Sequence, residues 1–266
     1  MTTVPRPEIE KNLLRNIENK GKQLVVYGHS GGGKTTLIEN LKTKNDLRLI
    51  ESICMNITTV DQLILDAFDQ LDIFYSREKS NSETSKLIGK YKNEYLGNTV
   101  ELSSELSATE TTKKNRAVDI QLTAQRLSDF LGASEMIWLI DDFHKLQNQE
   151  KTTFSQMLKV FSTQSKKYPK LKIICVGAER TAREVVDYDS EMSDRIAEIY
   201  VPLMTSDELA NIIDNGFLLL NARIDSFLKE EIVRFSNNLA TVTHNLCNHL
   251  CYDMGITQTQ KNEIKI

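Results

Sequence analysis

A short apolar run, Gln23 to Tyr27 (QLVVY), opens directly into Gly28-His29-Ser30-Gly31-Gly32-Gly33-Lys34-Thr35, after which Thr36 to Leu41 follow a helical pattern. Strand, glycine loop and helix in this order restrict the fold more than any other feature of the chain. Four of the 11 glycines fall between positions 28 and 33, where a tight loop must turn its amides inward and side chains would obstruct an anion. The helix beginning here adds the positive end of its dipole. The spacing G-x-x-x-x-G-K-T therefore predicts a cradle for nucleotide phosphates, formed by Gly28 to Thr36. Lys34 is expected to reach the β- and γ-phosphates, Thr35 to place its hydroxyl on Mg²⁺, and the amides of Gly31 to Lys34 to hold the β-phosphate. Thr36 falls near the α-phosphate. The alternative, a glycine-rich turn with an incidental lysine, explains neither Lys34 nor Thr35.

A cradle alone hydrolyses nothing, so a second, acidic element is required. Met136 to Asp142 (MIWLIDD) reads as a strand buried on both faces that delivers two carboxylates at its carboxyl edge, where ligands bind in open α/β sheets. Asp141 is expected in the magnesium shell through water. Asp142 takes the place of the base that orients the attacking water. The competing reading of Asp142 is a strand-end aspartate that caps the next helix.

The rest of the composition narrows the class. With 266 residues, 40% apolar and 26% charged, the chain can bury a sizeable core. Its net charge of -4 gives no global attraction for nucleic acid or anionic membrane, so only a local patch could supply one. No apolar run reaches the roughly 18 residues of a membrane helix, and the N-terminus lacks a signal-peptide core. A cytoplasmic protein is expected. The four cysteines, Cys54, Cys175, Cys247 and Cys251, do not make a disulfide framework and are expected as thiols.

On these residues the chain resembles P-loop ATPases of the AAA+ and STAND groups, bacterial STAND-like and TniB-like ATPases included. Ile140-Asp141-Asp142-Phe143-His144 is similar to the acidic strand end of STAND-like ATPases, where DD replaces DE; the shorter aspartate implies slow turnover. Val4 to Glu10 resembles the segment before the phosphate loop that lies near the adenine, which makes Arg6 a nucleotide-binding candidate. Lys172 to Gly177 looks like a sensor strand, although Ala178 and Glu179 stand where a polar Asn, Ser or Thr is usual. Ile199 to Leu203 reads as a fifth strand, and Asp194-Arg195 before it resembles the arrangement that presents an arginine finger to a neighbouring subunit. Arg195 is the finger candidate, with Arg180 and Arg183 behind it; a solvated or locally paired arginine is the alternative. The resemblance implies an α/β fold, a five-stranded parallel sheet sandwiched by helices, with a small C-terminal helical lid.

The expected organisation is an ATPase core over residues 1–204, a lid over 205–256 and a polar tail over 257–266. Thr205-Ser206-Asp207-Glu208 is a capping box, followed by apolar residues at helical spacing. A lid helix starting near Asn238 resembles a G-x-P-x-x-x-H pattern with Gly and Pro replaced, so His244 is a candidate nucleotide sensor, against a plain core or surface histidine. His244, Cys247, His249 and Cys251 do not make a zinc site, because His244 and Cys251 lie about 10 Å apart along a helix. Residues 76–118 form a polar insertion in which Gly97-Asn98 marks a hairpin, either a partner-binding projection or a surface excursion. Lys113, Lys114 and Arg116, or Lys166, Lys167, Lys170 and Lys172, are candidate phosphate-backbone contacts or solvated faces.

These readings converge on a Mg²⁺-dependent ATPase whose nucleotide state controls assembly with a protein partner or with further copies of itself, by resemblance in bacterial antiphage defence. A DNA-associated AAA+ ATPase of the transposition or helicase-loader type and a non-hydrolysing ATP-binding adaptor are the alternatives.

Overall fold

A computed structural model of the protein describes residues 4–71, 73–77, 87–91, 122–178 and 190–266. Five strands, β1 (Gln23–Tyr27), β2 (Leu49–Ile53), β5 (Ile137–Asp141), β6 (Lys172–Gly177) and β7 (Ile196–Tyr200), form one sheet in the order β2-β5-β6-β1-β7. Every pairing in it is parallel, as expected of the α/β class, and the three central strands β1, β5 and β6 bury both faces. The alternation of side chains does this. Val25, Trp138, Ile140, Ile173 and Cys175 face one way, into a core shared with α3 (Val60–Gln70), α4 (Ala124–Ala133) and α5 (Asn148–Gln164). Leu24, Val26, Leu139, Ile174 and Val176 face the other way, against α1 (Pro7–Glu18) and α2 (Lys34–Asn45). Successive residues of one strand thus belong to different cores, the period-2 signature of a central strand.

Register fixes what lies at the ligand-bearing edge. Tyr27 pairs with Gly177 and Tyr200, and Ile140 with Cys175, so β1 and β5 end side by side with only β6 between them. The outer strand β2 is finished locally: Gln70 of α3 accepts from Glu51 N at 3.0 Å and donates to Glu51 O at 2.6 Å. The fifth strand lies three residues earlier than the expected Ile199 to Leu203. Val201 N still donates to Tyr27 O at 2.8 Å, but Pro202 has no amide hydrogen and ends the ladder.

Within the insertion, β3 (Ile73–Arg77) and β4 (Leu87–Tyr91) pair antiparallel, with Ile73 opposite Tyr91 and Arg77 opposite Leu87. This ribbon precedes the expected hairpin, whose Gly97-Asn98 turn lies outside the described residues. Lys113, Lys114, Arg116, Glu179, Arg180 and Arg183 also lie outside them.

Beyond β7 come α6 (Ser206–Leu219), β8 (Ala222–Arg223), α7 (Ser226–Phe235) and α8 (Ala240–Asp253). The capping box forms as its spacing dictates, with Thr205 N donating to Glu208 Oε2 at 2.8 Å and Glu208 N to Thr205 Oγ1 at 3.2 Å. Ile213, Phe217 and Ile232 make the apolar centre of these helices. Residues 257–266 fold back: β9 (Ile264–Lys265) pairs parallel with β8, and Ile266 O accepts from Asp225 N at 2.6 Å. No helix among the described residues is long and apolar enough to cross a membrane.

Candidate nucleotide site

The loop between β1 and α2 is built around glycines that leave little or no room for a side chain at its tightest points. A Cβ on Gly28 would lie 2.2 Å from Val201 O, and one on Gly32 3.0 Å from His29 O. Gly31 and Gly33 adopt φ 76° and 85°, the left-handed region that glycine occupies without penalty. The loop thus runs close to β7 on one side and turns sharply into the N-terminus of α2, so its last amides point along the helix dipole. His29 and Ser30 are exposed at the crest, and His29 Nδ1 lies 2.8 Å from Ser30 O.

Lys34 curls over this loop, donating to Gly28 O at 3.0 Å and His29 O at 2.9 Å. Burial draws its amine below the ordinary lysine value, while Asp141 and Asp142 pull the other way. A cation loosely held by two carbonyls, partly desolvated and close to two carboxylates, can exchange those carbonyls for stronger anionic acceptors. Thr35, exposed at the start of α2, donates from Oγ1 to Asp141 Oδ2 at 3.3 Å.

At the end of β5, Asp141 bridges the two halves of the site. Its second oxygen, Oδ1, accepts from Asp142 N at 2.7 Å, and its main-chain oxygen accepts from Cys54 N at 2.9 Å. Burial, with lesser contributions from Asp142 and Asp141, pushes the Cys54 thiol up to about 12, so it is an inert wall. Asp142 turns to φ 56° and makes no side-chain cap to the following 3-10 turn; the capping alternative is not realised. Lys145 donates to Asp142 Oδ2 at 2.6 Å. Hydroxyl and carboxylate oxygens 3.3 Å apart are hard donors of the kind that share Mg²⁺ with water and phosphate, so Thr35 and Asp141 fit the expected ion.

Arg6, His244 and Arg195 each sit in local surroundings of their own. Arg6 is 7% exposed, and its guanidinium is committed to Glu208 Oε1 at 3.0 Å, Pro202 O at 2.9 Å and Leu203 O at 3.3 Å. It ties the first segment to α6. His244 lines a cleft of about 290 Å³ between α6 and α8, with Ile213, Phe217, Cys247 and Cys251. Arg195 immediately precedes Ile196, which pairs with Gln23 at the amino edge of the sheet. It is thus roughly 15 Å from its own phosphate loop by strand rise and donates to Thr163 Oγ1 at 3.2 Å. Within the lysine cluster, Lys167 pairs with Asp129 and Lys170 with Glu135, and Lys172 is fully buried.

Sequence reasoning missed the residue through which α8 touches the loop. Thr241 Oγ1 lies 3.4 Å from Gly31 O, one helical turn before His244. Met204 N donates to Asn238 O at 3.1 Å and Asn238 Nδ2 to Met204 O at 2.6 Å, which holds α8 against the core. The signal available was Asn237-Asn238, a pair suited to the left-handed turn they adopt at φ 46° and 64°. Lys145 was also missed, although three-residue spacing from Asp142 within a turn was visible.

A glycine phosphate cradle and an acidic strand end at the carboxyl edge of one parallel sheet define a P-loop ATPase-type domain with an AAA+-like fold. Residues 8–238 match an ATPase domain family found predominantly in Archaea, and the chain belongs to that family. No curated protein matches the sequence. Among solved structures, the chain is similar to the Walker-type ATPase PABY2304 of Pyrococcus abyssi, with 18% identity, a TM-score of 0.57, and coverage of 95% of this chain and 69% of that one. Cdc6p from Pyrobaculum aerophilum gives 12% identity, a TM-score of 0.57, and coverage of 97% and 66%. The Thermotoga maritima RuvB Holliday junction branch migration motor gives 13%, 0.52, 97% and 66%. The chain spans about two thirds of the length of these relatives, and at such identities the likeness is one of fold.

Proposed function

We propose that the chain binds ATP with Mg²⁺ at Gly28 to Thr36 and hydrolyses it, with the nucleotide state controlling association with a partner protein. The observation that carries this reading is Asp141, whose carboxylate meets Thr35 of the phosphate loop and the backbone of Asp142 together. Lys34 and the loop amides bind and orient the phosphates. Thr35 and Asp141 hold the ion, which supplies neutralisation of the charge that builds on the transferred phosphoryl group. Asp142 orients a water and receives its proton. The contacts of Thr241, Asn238 and Arg6 couple this site to the helices after β7, so a change at the loop alters their docking. Arg195, in this reading, serves the site of a neighbouring subunit, since its own loop is at the opposite edge of the sheet. The STAND-like and TniB-like subtype and the antiphage setting rest on the likeness of Ile140 to His144 and of the segment from Asn238 to His244, and the reading places the chain in the cytoplasm.

Calorimetry with ATP and Mg²⁺, together with phosphate release, tests this. Wild type should bind and turn over, Lys34→Ala should lose binding, and Asp142→Asn should bind normally while turning over about 100-fold more slowly. Equal background release from wild type and Asp142→Asn would leave only an ATP-binding adaptor; no heat with folded wild type would remove the reading altogether. A complex mass that is the same with and without ATP would remove nucleotide-controlled assembly.

A further inference from the structure

Asp142 is oriented by less than its neighbours. Its backbone is fixed, because its amide donates to Asp141 Oδ1 at 2.7 Å and its φ of 56° turns the chain sharply out of β5. Its side chain stands at 38% exposure and makes no cap hydrogen bond. A carboxylate in that position would sample several rotamers, each aiming its oxygens differently. The contact that selects one is Lys145 Nζ on Oδ2, at 2.6 Å.

The delivery of that ammonium is built into the turn. Lys145 ends the 3-10 turn Phe143–Lys145, where Lys145 N donates to Asp142 O at 2.9 Å and Leu146 N to Phe143 O at 3.1 Å. Phe143 and Leu146 are each 2% exposed, and the Phe143 ring stacks on Phe154 at 5.8 Å and 14°. The turn is therefore anchored in the core on both sides of the lysine. As a contribution to stability so exposed a pair is small. Its effect lies in geometry: one carboxylate oxygen is held, and the other is presented in a fixed direction.

We infer that Lys145 is the positioning residue for Asp142, holding Oδ2 so that Oδ1 faces the water to be activated. The inference rests on the hydrolytic reading above. Loss of an oriented base costs one to two orders of magnitude when the reacting groups are misplaced by about 1 Å. Lys145→Ala should therefore lower kcat at least tenfold, with the calorimetric Kd for ATP and Mg²⁺ and the KM within twofold of wild type, and with an unchanged unfolding midpoint. Lys145→Arg, which keeps a donor, should recover most of the rate. In the Asp142→Asn background, Lys145→Ala should have no further effect in single-turnover measurements. Unchanged or increased kcat in Lys145→Ala overturns the inference, as does an equal slowing in both backgrounds, which would assign the lysine to another group. If wild type releases no phosphate while binding ATP, the hydrolytic reading fails first and the inference falls with it.

Discussion

Arg6 and Glu208, 202 positions apart in the chain, meet at 3.0 Å behind the loop that leads from β7 to α6. The same glutamate closes the capping box with Thr205, so one carboxylate starts a helix and fastens the N-terminal segment to it. The arginine also donates to two carbonyls of the connecting segment, Pro202 and Leu203. Removing it strands a partly buried carboxylate and two acceptors together.

Arg6→Met should accordingly destabilise the protein by about 3 kcal/mol, the range seen when one partner of a buried pair is lost. Urea titration followed by the fluorescence of Trp138, the single tryptophan of the chain, provides the measurement. A cost below about 0.5 kcal/mol would show that the pair is not structural.

Lys172 supplies a pH dependence. It is fully buried at the start of β6, donating to Asn19 O and to Lys22 O at 2.7 Å, and burial lowers its pKa to about 8. Between about 8 and the ordinary lysine value, the unfolded chain binds more protons at this site than the folded one. Stability should therefore rise with pH through that window, and the cost of the buried charge is fully present below it. Urea midpoints of wild type taken across the window should climb relative to Lys172→Met; parallel profiles would refute the assignment.

Gly28→Ala tests the cradle. The added Cβ would meet the main-chain oxygen of Val201, and backbone cannot yield as a side chain can. A loss of about 2 kcal/mol is expected from overpacking of this kind, together with loss of calorimetric ATP binding. Retained affinity at full stability would mean that the loop need not approach β7.

The contact between Thr241 and Gly31 is a single hydrogen bond at 3.4 Å between exposed groups. Thr241→Val should shift the Kd for ATP by no more than about fivefold, the worth of one such bond, and leave the unfolding midpoint in place. A change of a hundredfold would give this hydroxyl a direct role on the nucleotide.

The site was legible where chemistry demands particular residues in sequence: the glycines and Lys34-Thr35 after an apolar strand, and two aspartates at the end of another. The α/β class followed from the same elements. What escaped the sequence depends on partners remote in the chain. Arg6 reads as a nucleotide-binding candidate until Glu208 is brought to it. His244 and Thr241 share one face of a helix, and nothing local says which turn of it meets the loop. The fifth strand was placed late because Val201 and Leu203 extend the apolar run past Pro202, although the missing amide of Pro202 was a readable stop. The return of residues 264–266 to β8 involves a two-residue pairing, too short for any periodicity.

The glutamine at the end of α3 has a wider effect. With Glu51, at the centre of β2, already bonded at both its donor and its acceptor by Gln70, the outermost strand offers a visiting chain an interrupted template. At this margin a second copy is kept from extending the sheet strand by strand, the route by which exposed strand edges drive irreversible aggregation.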